Sequence, residues 1–596
     1  MTSGPTVGAR GDLEGRGSSI LGPRHRAWSR ARLEREVFDV VVVGGGVTGA
    51  GAAVDAATRG LSVALIEASD YAAGASSKSS KLIHGGLRYL EMLDFGLVRE
   101  ALRERRLLLT ELAPHLVTPV PFLWPLTHRW WERPYVGAGL VLYDTMGGRR
   151  AVPRARHLTR AGALRIAPAL RPEALVGAVQ FYDAQEDDAR MVAFLARTAA
   201  AHGAALATCI RADGLLSEGG RVRGVRARDL LTGTDLCIRG RHVAMATGAW
   251  ASRGTGADAS AGASAGAGTG EDAGAEGQLQ VRPSKGVHIV IPRDRIQMET
   301  GLLTRTEKSV LFVIPWGDHW IIGDTDTEWR YDPAYPTASR ADIDYLLAKA
   351  SQMLRDPITA ADIEGVFAGL RPLVAADAAD TTRLSREHAV DASVAGLTTI
   401  AGGKFTTYRV MARDLIDAAA RDLGPAVPPS RTHRVPLVGA RGYASRRESR
   451  QLIAARNGLD VAQVERLLRR YGSCIDDLVE LIGRRPDLRE PVPGAGGYLG
   501  AEVVYACTHE GAVHLDDVLA RRTRTAFEVR DGGLAAAPHV AALMAGELGW
   551  DQASTDREIS RYRDAVAAER EAQQAPDDSL AITARLRGRS RPGAAR

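Results

Sequence analysis

The fold is decided by residues 38–67, which read FDVVVVGGGVTGAGAAVDAATRGLSVALIE. An apolar run, a glycine-rich turn, an alanine-rich stretch and a second apolar run predict strand, turn, helix and strand, which together make one βαβ unit. The turn matches Gly-x-Gly-x-x-Gly at Gly44, Gly46 and Gly49, and the second strand ends on Glu67 about twenty residues later. With a strand before the glycines and a helix after them, the stretch predicts a dinucleotide-binding site rather than an isolated glycine-rich turn.

Each part of this motif has a mechanical role. Gly44 permits a tight turn, Gly46 removes a side chain where a pyrophosphate must approach, and Gly49 allows the helix to pack closely on the strand. The helix that begins with Val47 and Thr48 presents free N–H groups and the positive end of its dipole to the same diphosphate. These residues form the predicted phosphate cradle.

The identity of the dinucleotide depends on the chain beyond the βαβ unit. Glu67 can accept hydrogen bonds from ribose hydroxyls, and an acid at this position suits NAD and FAD alike. In an NAD dehydrogenase a second βαβ half normally comes next. Here residues 74–91 are rich in Ser and Gly, and the nucleotide fold closes only at Ala246, Thr247 and Gly248. An excursion of this length favours an extended FAD molecule.

The rest of the chain divides by composition. Short β-rich runs separated by turn residues predict an antiparallel sheet between about residues 280 and 330, and helical patterns dominate from about residue 445. We expect interleaved FAD-binding and substrate domains over residues 37–430 and a helical C-terminal domain over residues 431–570. Three segments are expected to be disordered, namely the tails 1–36 and 571–596 and the Gly/Ala/Ser-rich insertion 254–278.

The formal net charge of +6 lies at the two ends of the chain. Residues 1–36 hold seven Arg against four acids and residues 577–596 hold five Arg against two, so the body is neutral and no nucleic-acid partner is predicted.

The four cysteines are widely spaced, with no Cys-x-x-Cys pair, so neither disulfides nor a metal site is expected and a reducing cytoplasm is the natural compartment. No run of about 18 apolar residues predicts a membrane span, whereas an interfacial helix would need only one apolar face.

Residues 76–91, SSKSSKLIHGGLRYLE, resemble the signature of FAD-dependent glycerol-3-phosphate dehydrogenases of the aerobic, quinone-linked type. Further segments agree with that family in order and spacing, and the likeness covers about residues 38–565. These segments are Tyr182-Asp183 with Asp188-Ala189-Arg190, Lys285-Gly286-Val287-His288, Phe312–Trp316, Gly369–Leu373, Ser385–His388, Gly402–Arg409 and Asp517–Thr523.

The resemblance implies an α/β fold with a Rossmann-like, glutathione-reductase-like FAD domain, an antiparallel-sheet substrate domain and an α-helical C-terminal domain. It also implies oxidation of sn-glycerol 3-phosphate to dihydroxyacetone phosphate, electron transfer to a quinone, and peripheral association with the cytoplasmic membrane; a homodimer stays open. Besides the glycine motif and Glu67, the FAD contacts that it implies are Ser76, Ser77, Lys81, Leu82, His84, Gly85, Ala246, Thr247, Gly248, Gly323, Asp324, Gly403, Lys404, Phe405 and Thr406.

Oxidising a secondary alcohol with a flavin requires a hydride acceptor, a base for the hydroxyl proton and groups that orient the substrate. The substrate phosphate needs cations, because charge-assisted hydrogen bonds fix an anionic group most strongly. The matching motifs supply Arg88, Arg371, Arg386 and Lys404, with Tyr89 as a neutral partner.

The base is a separate question. His288 lies in a short apolar strand, and an imidazole that titrates near neutral pH is a natural general base. A hydrogen-bonded structural histidine is the alternative, because Arg371 could polarise the alcohol instead and His84 is also available. The working hypothesis assigns the proton to His288 and the developing alkoxide charge to Arg371, with Lys404 as the third catalytic residue.

Other readings of the sequence stay open. An oxidase of the same fold would pass the electrons to oxygen, and a catalytically silent flavin-binding module would lack converging cations.

Ala75 and Asp324 stand where the family pattern has Thr, so contacts near the flavin are expected to differ in detail. The aromatic stretch 121–146 fits core packing or a surface that faces membrane or quinone, and its aromatic residues include Trp124, Trp130, Trp131 and Tyr135.

Overall fold

Two β-sheets and a block of helices make up the part of the chain that the computed structural model describes, which is residues 18–86, 94–128, 132–146, 151–252, 279–307, 310–374 and 387–587. The first sheet contains β1 (Val37–Val43), β2 (Val63–Ile66), β7 (Ala205–Ala207), β8 (Ile210–Glu218), β9 (Arg221–Asp229), β10 (Asp235–Met245), β17 (His388–Asp391) and β18 (Leu397–Gly402). The second contains β3 (Leu82–Ile83), β4 (Val117–Leu126), β5 (Arg156–Thr159), β6 (Gly177–Glu186), β11 (Val281–Pro292), β12 (Gly301–Arg305), β13 (Val310–Trp316), β14 (His319–Gly323), β15 (Thr327–Glu328) and β16 (Gly365–Val374).

The α-helices lie between the strands and in a C-terminal block. In chain order they are α1 (Pro23–Arg35), α2 (Val47–Thr58), α3 (Phe95–Leu107), α4 (Glu132–Met146), α5 (Arg160–Ile166), α6 (Asp188–Ala201), α7 (Arg340–Met353), α8 (Tyr408–Leu423), α9 (Tyr443–Glu448), α10 (Arg450–Asn457), α11 (Val461–Tyr471), α12 (Ile475–Arg484), α13 (Gly500–His509), α14 (Thr525–Glu528), α15 (Ala537–Leu548), α16 (Gln552–Gln574) and α17 (Asp578–Arg587).

The first sheet is the predicted nucleotide-binding layer. Its parallel strands follow the order β18-β10-β1-β2-β7, with β17 antiparallel at one edge and the β8–β9 hairpin beside β10. Val40 and Val42 of β1 pack with α2, α6 and α8, while Val41 and Val43 belong to the apolar core on the opposite face. Because both faces are covered, β1 is apolar along nearly its whole length, as expected of a parallel strand.

The second sheet is largely antiparallel, as the β-rich runs predict. Its strands follow the order β15-β11-β14-β13-β12-β4-β6-β3, with β16 paired to β11 and β5 to β6. The register places His288 of β11 opposite Gly323 of β14 on one side and Phe367 of β16 on the other. On the outer face, α7 packs Leu346 into an apolar core with Trp320. This register brings distant stretches of the chain to one surface.

Helices α9–α17 form the C-terminal block. One apolar core gathers around Leu467 and Tyr505, and a second around Val518 and Met544. The predicted α/β class with an added helical C-terminal domain is confirmed. Among the described residues, no helix combines the length and the apolar character that crossing a bilayer requires.

The expectation of disorder is wrong for part of the N-terminal segment. Helix α1 buries Leu33 completely, and its Arg26 and Arg30 both bind the buried carboxylate of Asp229. The helix is rich in arginine and has no apolar stripe, so its sequence carries no periodic signal. Ion pairs with the first sheet therefore order a segment that composition alone predicts to be flexible.

The prediction of disorder is also wrong for part of the C-terminal segment 571–596. Helix α16 continues to Gln574, and α17 packs the buried Ile582 against Trp329 and Leu370 of the second-sheet region. Asp578 at the start of α17 pairs with Lys285, a fully buried lysine of β11. Residues 1–17, 253–278 and 588–596, which include the predicted insertion, lie outside the described residues.

Candidate active site

The glycine turn after β1 has the backbone shape that a bound diphosphate needs. Gly44 has φ of +111°, and a Cβ atom there would lie 2.5 Å from the carbonyl oxygen of Ala246. A Cβ atom at Gly49 would overlap the carbonyl oxygen of Gly44. Gly46 caps the N-terminus of α2. Glycine is therefore required at the first and third motif positions by the protein's own backbone, and the middle glycine places no side chain at the N-terminus of α2.

Glu67 lies at the same turn. Its two carboxylate oxygens accept hydrogen bonds from the backbone N–H groups of Gly45, at 2.6 Å, and Ser69, at 2.8 Å. Burial raises the pKa of Glu67, although these two N–H groups stabilise its charged form. Each carboxylate oxygen has a second lone pair, so the residue can also accept from a ribose hydroxyl.

A linking segment, residues 76–85, runs from the glycine turn to the second sheet. At its start the Ser76 hydroxyl accepts the N–H of Val47 at 3.0 Å, at the N-terminus of α2. In its middle the Ser80 hydroxyl meets Nε2 of His288 at 2.9 Å. At its end the N–H of His84 donates to the Thr406 hydroxyl at 3.2 Å. One stretch of chain thus connects the phosphate cradle with the strand that carries the predicted base.

His288 is buried in a flat slot. Its ring stacks on Phe367 with centroids 4.8 Å apart and an interplanar angle of 13°, and a Cβ atom at Gly323 would overlap the ring. Burial lowers the pKa of His288 to about 4, so the ring is neutral at pH 7. Its Nδ1 is buried and has no hydrogen-bond partner among the residues that the structure describes. The neutral ring therefore has one nitrogen held by Ser80 and a second, buried nitrogen with no hydrogen-bond partner among the described residues.

Arg371 lies on the same face, because β11 and β16 pair with Ser284 opposite Arg371. A Cβ atom at Gly286 would lie 2.5 Å from Nη2 of Arg371, so this glycine makes room for the guanidinium. Arg371 forms an ion pair with Asp324, donates to the carbonyl oxygen of Thr325 at 3.1 Å and lies 3.4 Å from the Ser284 hydroxyl. Asp324, which departs from the family pattern, therefore forms an ion pair with the arginine that is predicted to bind the substrate phosphate.

Lys81 and Gly85, both predicted to contact FAD, are held by other protein groups. The Nζ of Lys81 donates to both carboxylate oxygens of Asp188, at 2.9 and 3.0 Å. The N–H of Gly85 donates to the Tyr143 hydroxyl at 2.8 Å and to Asp183 at 3.3 Å. In this structure these two positions fix the linking segment in place.

The remaining predicted residues fall into four groups. Gly248, with φ of +58°, follows Ala246 and Thr247 at the carboxyl end of β10. Gly403, Lys404, Phe405 and Thr406 form the turn before α8, where Lys404 precedes the short helix Phe405–Thr407. Ser77 and Leu82 are buried within the linking segment. The last group, Arg88, Tyr89 and Arg386, lies outside the described residues.

Sequence reasoning did not single out two side chains that shape the site. Phe367 alternates with Gly369 and Arg371 along β16, a period of two that signals a shared face. Ser80 stands inside the family-like stretch but carries no role from the motif alone. Only the tertiary structure shows that both contact His288.

FAD, which the resemblance implies, fits these residues. The glycine turn would hold the diphosphate at the N-terminus of α2, and Glu67 would meet the adenosine ribose. The linking segment extends from this cradle to His288, whose buried Nδ1 lacks a partner among the described residues. A long dinucleotide needs such an extended site.

Comparison with known proteins shows which families this chain resembles. A sequence family described as "FAD dependent oxidoreductase" matches residues 39–409, and one described as "C-terminal domain of alpha-glycerophosphate oxidase" matches residues 430–555. A glycerol-3-phosphate dehydrogenase of Mycobacterium leprae is 52% identical over 561 residues, which cover 94% of this chain and 93% of the relative.

More distant relatives show the same pattern. The mitochondrial glycerol-3-phosphate dehydrogenase of Homo sapiens is 37% identical over 548 residues, covering 88% of this chain and 72% of the relative. Among solved structures, the glycerol-3-phosphate dehydrogenase from Bacillus halodurans, complexed with FAD, superposes with a TM-score of 0.73 at 28% identity. That superposition covers 92% of this chain and 98% of the other.

Proposed function

The chain belongs to the family of FAD-dependent glycerol-3-phosphate dehydrogenases, and we propose that it oxidises sn-glycerol 3-phosphate to dihydroxyacetone phosphate and passes the electrons to a quinone. FAD is its cofactor. The observation that carries the proposal is the shared face of β11 and β16. There His288 and Arg371 lie beside a linking segment whose other end reaches the glycine turn.

Arg371 binds the phosphate in this proposal. Its side chain is 22% exposed, and a charge-assisted hydrogen bond to an anionic ligand contributes about 1.5–3 kcal/mol. Lys404 is proposed as a second cation. Arg88 and Arg386 complete the proposed set, with Tyr89 as a neutral partner.

His288 takes the proton of the C2 hydroxyl at its Nδ1. In the tautomer that serves this role, Nε2–H donates to Ser80 and Nδ1 carries the lone pair. Bound FAD supplies the hydride acceptor for the C2 hydrogen. Burial has the largest effect on the pKa of His288 and lowers it, whereas the negative charge of Asp324 raises it. Asp324 therefore stabilises the protonated form of His288 that the reaction produces.

The test is an anaerobic absorbance titration of the FAD-loaded protein with sn-glycerol 3-phosphate. Bleaching of the flavin band is expected with this substrate and not with glycerol, which lacks the phosphate. His288→Asn should slow the bleaching by two or more orders of magnitude. His242→Asn is the matched control, because His242 of the first sheet is an equally buried histidine, bound to Thr398 of the same sheet and Asp422 of α8. A flavin that stays oxidised would refute the substrate assignment.

The acceptor is tested by reoxidation of the bleached enzyme. We expect rapid recovery of the flavin band with a soluble quinone analogue and slow recovery with oxygen. Fast recovery with oxygen, together with release of hydrogen peroxide, would identify an oxidase instead. The same comparison therefore decides between the two acceptor classes.

A peripheral place on a membrane is expected for a quinone acceptor and is part of the proposal. Helices α3 and α4 support it, because they contact each other and expose large apolar side chains at Phe95, Tyr135 and Leu142. Trp124, by contrast, is buried in the second-sheet core, and Trp130 and Trp131 lie outside the described residues. Flotation with anionic lipid vesicles tests the association, and a protein that stays at the bottom of the gradient would contradict it.

A further inference from the structure

A buried ionic cluster joins the helical domain to the start of α6. Asp187 and Asp188 are adjacent carboxylates, and Arg524 of the helical domain binds both, at 2.6 Å in the case of Asp188. Lys81 binds Asp188 from the other side. Asp188 is fully buried and Arg524 is 1% exposed. Although burial alone would raise it, the pKa of Asp188 is lowered, because Lys81 and Arg524 stabilise the charged form.

Asp188 also holds the backbone of the linking segment. Its Oδ2 accepts hydrogen bonds from the N–H of Ser79 at 3.0 Å and from the Ser79 hydroxyl at 2.7 Å. The Ser79 hydroxyl in turn accepts the N–H of Lys81 at 2.9 Å. Lys81 has φ of +56°, a left-handed conformation that a lysine keeps only where its surroundings enforce it. Ser80, between these two residues, meets His288.

We propose that Arg524 is a positioning residue of the active site, which acts through Asp188 to hold Ser80 against His288. The proposal rests on the proposed function, since it takes His288 to act in the reaction. By this route the helical domain sets the geometry at a histidine of the second sheet.

The guanidinium of Arg524 is needed because it holds two neighbouring carboxylates together. Without it, Asp187 keeps Arg470 at 3.2 Å and Asp188 keeps Lys81, so each acid has a separate cation. With the shared cation gone, the repulsion between the two adjacent buried carboxylates is less compensated and displaces the side chain of Asp188. Because Asp188 is hydrogen-bonded to Ser79 and Lys81, a displacement of its side chain also displaces these two residues, which flank Ser80.

Arg524→Met tests this role, and Arg197→Met is its matched control. Arg197 is also 1% exposed and binds the helical domain through Cys474 and Glu510, but it lies about 14 Å along α6 from Asp188. Both variants should have a lower Tm. Only Arg524→Met should lower the rate constant of flavin reduction at saturating substrate, by at least tenfold. Its half-saturating substrate concentration should stay within twofold, and Arg524→Lys should recover part of the rate.

Hydrogen exchange measured by mass spectrometry gives a readout that does not need turnover. The amides of Ser79 and Lys81 should exchange faster in Arg524→Met and at the wild-type rate in Arg197→Met. Ser80→Ala, which leaves the ionic cluster intact, should slow flavin reduction by a factor similar to that of Arg524→Met. Agreement of both readouts would support the positioning role.

Two results would overturn the inference: unchanged exchange of these amides in Arg524→Met, or equal slowing of flavin reduction by the two methionine variants. A fast Ser80→Ala enzyme would overturn the link through Ser80. If sn-glycerol 3-phosphate fails to reduce the wild-type flavin, the proposed function fails instead. The exchange comparison would then still decide whether Arg524 holds the linking segment.

Discussion

Asp324 should weaken substrate binding, because it forms an ion pair with Arg371, the residue proposed to bind the substrate phosphate. Its carboxylate forms an ion pair with Arg371, and the two side chains are 20% and 22% exposed. Asp324→Asn removes the negative charge and keeps an oxygen that can accept from the guanidinium. We therefore expect the variant to bind sn-glycerol 3-phosphate more tightly than the wild-type protein does.

The size of the effect depends on the exposure of the pair. Two unit charges about 4 Å apart interact by about 4 kcal/mol at an effective dielectric constant of about 20. Partial exposure of both groups reduces this towards the value of a surface pair, about 1 kcal/mol. A change of about 1 kcal/mol corresponds to about fivefold in Kd.

Anaerobic stopped-flow reduction of the flavin over a range of substrate concentrations measures this Kd. Asp318→Asn is the matched control, since it removes the same charge from the exposed turn between β13 and β14. It should leave Kd unchanged. Weaker binding of the phosphate substrate by Asp324→Asn would refute the reasoning, because Asp324 would then orient Arg371 for the phosphate rather than compete with it.

Three further predictions test other parts of the structure. The folded pKa of His288 is about 4, below the ordinary value of 6.5, so its contribution to stability is present above pH 6.5 and is lost as the pH falls towards 4. Burial also lowers the pKa of His25, His115 and His509, so the wild type and His288→Asn should both lose stability between pH 7 and pH 4.5 in urea unfolding, and the loss should be smaller in His288→Asn by at most about 3 kcal/mol. Asp578→Asn should lower the Tm by several degrees in a thermal scan, because it removes a charge partner from the fully buried Lys285, and an unchanged Tm would show that α17 does not contribute this charge in solution. Gly49→Ala should abolish FAD retention on gel filtration, since its Cβ would overlap a backbone oxygen, whereas Gly139→Ala, with open space around its Cβ, should retain the flavin.

Local pattern predicted the strand, glycine turn and helix at the start of the first sheet. The valines of β1, the glycine turn and the alanine-rich α2 are neighbours in sequence, and each has a conformation set by its own side chains. The period-two pattern of β11 likewise places Ser284, Gly286 and His288 on one face. For these elements, sequence and structure carry the same information.

The ends of the chain show where such patterns fail. Helix α1 is ordered by arginine pairs to Asp229, and α17 by one buried isoleucine and an ion pair to Lys285. Neither helix has the apolar stripe that predicts burial. Composition therefore favoured disorder where long-range ion pairs impose order.

The sequence by itself determined the strand, glycine turn and helix of the first βαβ unit, the strand that carries His288 and the family to which the chain belongs. Only the tertiary structure decided which groups meet there: Ser80 and Phe367 at His288, Asp324 on Arg371, and Arg524 on Asp188. Hydrogen bonds and periodicity within one element act over a few residues and leave a local signature. An ion pair such as that between Arg524 and Asp188 joins positions 336 residues apart, and nothing in the spacing of either residue encodes its partner.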